Sequence, residues 1–139
     1  MGSHSASKFR DFTKLTLIIT VVMLLVISFS LVGCGNFNDV SAQKALQLKN
    51  QGAIVLDIRS SLLYDQGHIE GSKNIDYNSG DFSEQLNKLD KNTVYLICGN
   101  NTDVPSTVLL MKENDFKEVH AIKNGIDGWK EAGYPISIW

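Results

Sequence analysis

The chain has only two cysteines and two prolines in 139 residues. So few thiols exclude a disulfide framework, and there is no Cys-x-x-Cys pair for zinc or dithiol redox chemistry. Histidine is scarce as well: beyond the leader only His68 and His120 occur, far apart, and no metal site is expected. Arginine is scarcer still. From Cys34 onward, Arg59 is the sole arginine, and ten basic residues stand against fourteen acidic ones. A basic footprint for nucleic acid is therefore missing, and no nucleic-acid partner is expected. Internal repeats and low-complexity tracts are also lacking.

What is present falls into two parts. Residues 1–14 carry Lys8, Arg10 and Lys14 against one acid, Asp11, and lead into an uncharged, proline-free run from Leu15 to Val32. Basic residues followed by an apolar stretch form the layout of a secretory signal. The run closes in Leu31-Val32-Gly33-Cys34, which resembles the bacterial lipobox, whose cysteine takes a lipid on sulfur and becomes the new N-terminus after cleavage. The expectation is a signal over residues 1–33, lipidation of Cys34, a short linker over 34–40 and one domain over 41–139. An uncleaved transmembrane anchor is the alternative, since 18 apolar residues can nearly span a bilayer. Either way the basic flank places the domain outside the cytoplasm, at the cell surface or in the periplasm, tethered to the membrane.

Downstream, apolar β-formers in "AIVLDI" and "TVYLI" predict strands buried on both faces. "EVHAIK" predicts a third strand. Helical spacing recurs in "SAQKALQLKN", "SSLLYDQG", "DFSEQLNKLD", "VPSTVLLMKEND" and the closing "NGIDGWKEAGYPI". Asp81 and Glu84 have capping-box spacing, and Pro105 suits a first helical turn. "GHIEGSKNID" reads as turns, with a small strand near Asn74-Ile75. Strands alternating with helices predict an α/β domain: a central parallel sheet with helices on both faces.

Cys98 follows "TVYLI" directly and opens the loop Gly99-Asn100-Asn101-Thr102-Asp103 before a helix. In α/β sheets ligands gather beyond the carboxyl ends of the strands. Loop amides and a helix N-terminus converging there are expected to favour the thiolate and lower the cysteine pKa. A buried structural cysteine is the competing reading, because a free thiol packs as a small hydrophobe.

The stretch "VLDIRSSLLYDQGHIEGSKNID" resembles the N-terminal signature of rhodanese domains, through Asp57, Arg59, Tyr64, Gly67, His68, Ile69, Gly71, Ser72, Asn74 and Ile75. "NGIDGWKEAGYPI" resembles the C-terminal signature, through Gly125, Trp129, Gly133, Tyr134 and Pro135. The resemblance implies that Cys98 is the catalytic cysteine, taking sulfur from a small-molecule or protein sulfane donor as a persulfide and passing it to a thiol acceptor. It implies covalent catalysis without a cofactor, in a domain expected to be monomeric. The loop from Gly99 to Asp103 would bind substrate. Asp57 and Arg59 would support it from the neighbouring strand end, either as ties to the active loop or as a structural ion pair, with Glu70 a candidate partner. His68 is expected to lock its turn by hydrogen bonding.

The loop departs from the family pattern C-R-x-G-x-R in lacking both arginines and ending in Asp103. Like charges about 6 Å apart repel by roughly 3 kcal/mol at an effective dielectric near 20, which disfavours thiosulfate as donor. Asp103 is expected to cap the following helix. Two function classes follow: a sulfurtransferase acting through Cys98, and a non-catalytic rhodanese-like binding module. A phosphatase or arsenate reductase on this scaffold would need a longer loop and an oxyanion-clasping arginine.

Overall fold

The computed structural model describes residues 39–138; the leader and Cys34 lie outside the described residues. Five strands form one parallel sheet: β1 (Asp39–Val40), β2 (Ile54–Asp57), β4 (Lys73–Asn74), β5 (Val94–Cys98) and β6 (Glu118–Ile122), in the order β1-β6-β5-β2-β4. β5 and β2 are central, and their residues are almost entirely buried, as continuous apolar runs require. Two short strands, β3 (His68–Ile69) and β7 (Ile136–Ser137), pair antiparallel in a separate ribbon.

Side chains alternate across the sheet and sort into two cores. On one face Leu56, Tyr95, Ile97 and Val119 cluster with residues of two helices, α3 (Phe82–Asn87) and α4 (Asp103–Glu113). On the other, Val55, Leu96, Cys98 and Ile122 cluster with residues of α1 (Ala42–Asn50) and α5 (Gly125–Glu131). A fifth, short helix, α2 (Ser61–Asp65), lies just after the end of β2. The predicted parallel sheet with helices on both faces is the observed architecture.

Local chemistry accounts for the helix ends. Ser41 accepts the Lys44 amide at the start of α1, and Ser60 accepts the Leu63 amide at the start of α2, each satisfying an amide left open by the first turn. The expected capping box at α3 does not form. Asp81 makes no cap bond to the backbone and instead accepts from the Gln85 side chain.

Two stretches read as linker or turn carry strand structure. Asp39 and Val40, assigned to the linker, pair with Ala121 and Ile122 and make an edge strand. His68 and Ile69 pair with Ser137 and Ile136. Both segments are two residues long, too short for any hydrophobic period to register. Among the described residues no helix is long and apolar enough to cross a membrane.

Candidate active site

The site is built where β2 and β5 end side by side. In the parallel register Asp57 pairs with Cys98, so the ends of the two central strands bring a carboxylate and a thiol to one level. The chain leaving β2 is held by hydrogen bonds rather than by burial alone. The Asn74 carboxamide donates to the carbonyls of Asp57 and Arg59, both at 2.8 Å.

Arg59 turns back onto Asp57. Its Nε donates to Oδ1 at 2.9 Å and its Nη2 to Oδ2 at 2.5 Å, a two-pronged pair of the kind a guanidinium makes with a carboxylate. Nη2 also donates to the Gly67 carbonyl at 2.8 Å. Arg59 therefore ties β2 to the turn before β3 and is already engaged by protein groups. Of the two readings for this pair, the structural ion pair is the one formed, and Glu70 stands exposed outside it.

His68 is buried, with Nδ1 2.9 Å from the Tyr64 carbonyl oxygen and its ring stacked on that of Tyr64 at 3.8 Å between centroids. The Tyr64 hydroxyl donates to the Ser72 carbonyl at 2.6 Å. This is the turn-locking arrangement expected of His68, and it leaves the imidazole away from the cavity described below.

Cys98 is fully buried, at 0% exposure. Its thiol pKa is pushed up to about 12, first by burial and then by the field of Asp57, with Arg59 opposing. This reverses the expected lowering. The reason is a contest of magnitudes: desolvation penalises the anion, while two of the loop amides that could have offset it, those of Thr102 and Asp103, point elsewhere.

The loop shows where they point. The Asn100 side-chain oxygen accepts the amides of Thr102 at 3.1 Å and Asp103 at 2.8 Å, and also the Thr102 hydroxyl at 2.8 Å. The Asn100 NH2 group donates to Asp103 Oδ2 at 2.6 Å. Asn100 thus performs the capping expected of Asp103, whose own carboxylate makes no cap bond and accepts from Asn100 and from the Thr102 hydroxyl. The substitution of one capper for the other follows from geometry: Asn100 sits three residues before Asp103, at the distance from which a side chain reaches the third amide of a helix. Asn101 is exposed beside this knot.

Gly99 and Gly125 let two backbones approach. A Cβ on Gly99 would lie 2.5 Å from Ile58 Cγ1, and one on Gly125 would lie 2.6 Å from the Gly99 carbonyl oxygen. Gly125 and the preceding Asn124 both have positive φ, +52° and +59°; asparagine is among the few residues with a side chain that visit this region. This tight turn sets α5 against the Cys98 loop.

A cavity of about 540 Å³ opens here. Its lining includes Arg59, Gly99, Asn100, Asp103, Asp127 and Lys130, and Cys98 lies beneath rather than in it. Asp127 and Lys130 were not singled out by their sequence surroundings. The Gly125 signature, which marks a close backbone approach, was the available hint. Among the described residues no group of His, Cys, Asp or Glu could hold a metal ion.

Known proteins resemble this chain over nearly the whole described region. The chain matches the rhodanese-like domain family model over residues 41–132. It is 32% identical over 100 residues to the thiosulfate sulfurtransferase GlpE of Pseudomonas entomophila, covering 71% of this chain and 89% of the relative. The GlpE protein of Actinobacillus pleuropneumoniae serotype 3 is 29% identical over 102 residues, 72% and 93% of the two chains. Among solved structures, a rhodanese-related protein from Thermoplasma volcanium superposes with a TM-score of 0.66 at 20% identity, over 74% of this chain and all of that one. The rhodanese-like domain of an Anabaena protein gives 0.64 at 22%, over 73% and 80%. With its parallel sheet, its cysteine at the end of the central strand and both signature stretches in place, this chain belongs to the rhodanese-like domain family and is similar to the GlpE sulfurtransferases.

Proposed function

We propose that the chain is a sulfurtransferase or sulfur carrier working through a persulfide on Cys98. The observation that carries this reading is the position of Cys98 at the carboxyl end of β5, level with Asp57 and under a cavity lined by the loop that follows it. In the first half-reaction the Cys98 thiolate attacks the outer sulfur of a donor R–S–SH. A new S–S bond forms, the donor's S–S bond breaks, and its electron pair leaves with R–S⁻, giving Cys98–S–SH. A thiol acceptor reverses the same chemistry. Splitting the transfer in two is covalent catalysis.

Two features shape the reaction. The thiol needs the Gly99–Thr102 loop to open before a donor can reach it, because it is fully buried. The donor is disfavoured as an inorganic dianion, because Asp103 and Asp127 line the cavity and Arg59 is bound to Asp57. A thiol persulfide meets less repulsion than thiosulfate.

The test exposes the purified chain to thiosulfate or to a thiol persulfide, followed by intact mass and cyanide-releasable sulfur. A one-sulfur mass gain that vanishes in Cys98→Ser is the expected result. No adduct from any donor would overturn the proposal and leave a binding module, the reading favoured by one observation: Asn100 already occupies two loop amides, of Thr102 and Asp103, that could steady a sulfur anion.

Placement outside the cytoplasm, on a lipid at Cys34, is part of the same proposal. It is supported by the order of basic residues, apolar run and Leu31-Val32-Gly33-Cys34. Labelled fatty acid should enter the wild-type chain and not Cys34→Ala; equal labelling of both would refute the tether.

A further inference from the structure

We infer that the cavity beside Cys98 recognises a zwitterionic low-molecular-weight persulfide, with Asp127 receiving its ammonium group and Lys130 its carboxylate. The inference rests on the persulfide reading and adds the class of donor and the two residues that select it.

Size is the first observation. About 540 Å³ falls within the range of pockets that hold organic ligands, roughly 300–1,000 Å³. An ion of five heavy atoms would leave most of it filled with water.

The charge inventory is the second. Of the four charged side chains lining the cavity, Arg59 is charge-paired with Asp57, its Nε and Nη2 engaged by that carboxylate and the Gly67 carbonyl. Asp103 accepts from Asn100 and Thr102 through its two oxygens. Asp127 and Lys130 remain, three residues apart on α5 and therefore on neighbouring positions of one helical face. Both are exposed. Among the described residues neither side chain forms a hydrogen bond or an ion pair, with the other or with any third group. Opposite charges that face one cavity without neutralising each other are complementary to a ligand carrying both signs.

The third observation ties these charges to the reacting atom. Asp127 and Lys130 both bear electrostatically on the Cys98 thiol, in opposite senses, and the loop residues Gly99 and Asn100 that follow Cys98 line the same cavity. Exposed Gln66 and Asn78 also line the cavity and supply neutral carboxamides of the kind that bind amide or carboxylate groups.

The test separates recognition from chemistry by using ligands with no transferable sulfur. S-methylcysteine and S-methylglutathione are titrated calorimetrically into the purified full-length chain, beside N-acetyl-S-methylcysteine, which lacks the ammonium, and S-methylcysteine methyl ester, which lacks the carboxylate. Loss of either charge should weaken binding by about tenfold. Asp127→Asn should abolish the discrimination against the acetylated ligand only, and Lys130→Gln that against the ester only. The relative affinities of the cysteine and glutathione ligands show which size of donor fits. Equal affinity for charged and capped ligands, no binding of any of them, or uniform weakening of all by both variants would overturn the inference. Binding with this pattern, but no sulfur adduct on Cys98, would instead remove the proposed function and leave the recognition site standing.

Discussion

Asp57 and Cys98 occupy paired positions on adjacent parallel strands, with the Asp57 carboxylate locked to Arg59 and the Cys98 thiol buried beside it. The arrangement sets a protonated thiol as the resting state, since burial and the neighbouring carboxylate both disfavour its anion. Under the proposed persulfide chemistry, reactivity would be coupled to opening of the loop.

Stability should decline at high pH through this thiol. Between about pH 9 and pH 12 the unfolded chain has lost the Cys98 proton while the folded chain retains it. With more protons bound to the native state, unfolding free energy falls as pH rises, and the contribution is complete only below that window. Urea unfolding of wild type and Cys98→Ala across the window isolates the effect from other titrating groups. A difference between the two that does not change with pH would contradict it.

Removing Arg59 should be costly. Asp57 is 1% exposed, and stripping one partner from a buried pair costs about 3–5 kcal/mol. Arg59→Ala is expected near the lower end, since the arginine itself reaches the cavity edge. The double variant Asp57→Ala/Arg59→Ala should be more stable than Arg59→Ala alone. Chemical denaturation measures both, and the reverse order would show that the pair is not what holds this corner.

Asn100→Ala should lower stability by about 1 kcal/mol through loss of the cap. It should also free the Thr102 and Asp103 amides for an anion. Denaturation gives the first quantity, and thiosulfate titration the second. Tighter thiosulfate binding in a less stable protein is the expected pairing; unchanged binding would mean that the amides are not in competition.

Asp103→Arg reverses the charge at the end of the loop. Thiosulfate turnover should rise, by up to about a hundredfold if the full like-charge repulsion at close range is relieved. Steady-state sulfite release measures it, and an unchanged or slower rate would refute the electrostatic account of donor choice.

Gly125→Ala tests the contact between loop and helix. A methyl group there meets the Gly99 carbonyl at 2.6 Å on a backbone with φ of +52°, and the two penalties together should destabilise by about 2–4 kcal/mol. Gly80→Ala, at a position with nothing within 4 Å, is the control. Equal melting temperatures for the two variants would show that the close approach is not needed.

The central strands were legible because "AIVLDI" and "TVYLI" are unbroken apolar runs, and burial on both faces of a parallel sheet leaves that mark on sequence. Cys98 could be placed for the same reason: it ends such a run. Its protonation state could not, because desolvation depends on Ile126 and Trp129, distant in the chain but in the same buried cluster. The helix cap was misassigned to Asp103 because Asn100 and Asp103 are both good capping residues, and only the course of the loop chooses between them. Asp127 and Lys130 carried no signal of their own. Ordinary surface charges become cavity walls only through the turn at Asn124 and Gly125.

The β3–β7 ribbon has a kinetic meaning. His68 belongs to the middle of the chain, yet its strand partner is Ser137. Contacts so far apart in sequence close a large loop and tend to form late. The sheet centred on β2, β5 and β6 can assemble before that partner is reached, so its core can be in place while the first signature stretch still lacks its strand. The pairing of β3 with β7 should then follow assembly of the central sheet, whereas the turn itself, held by the local bond from Arg59 to the Gly67 carbonyl, can form beforehand.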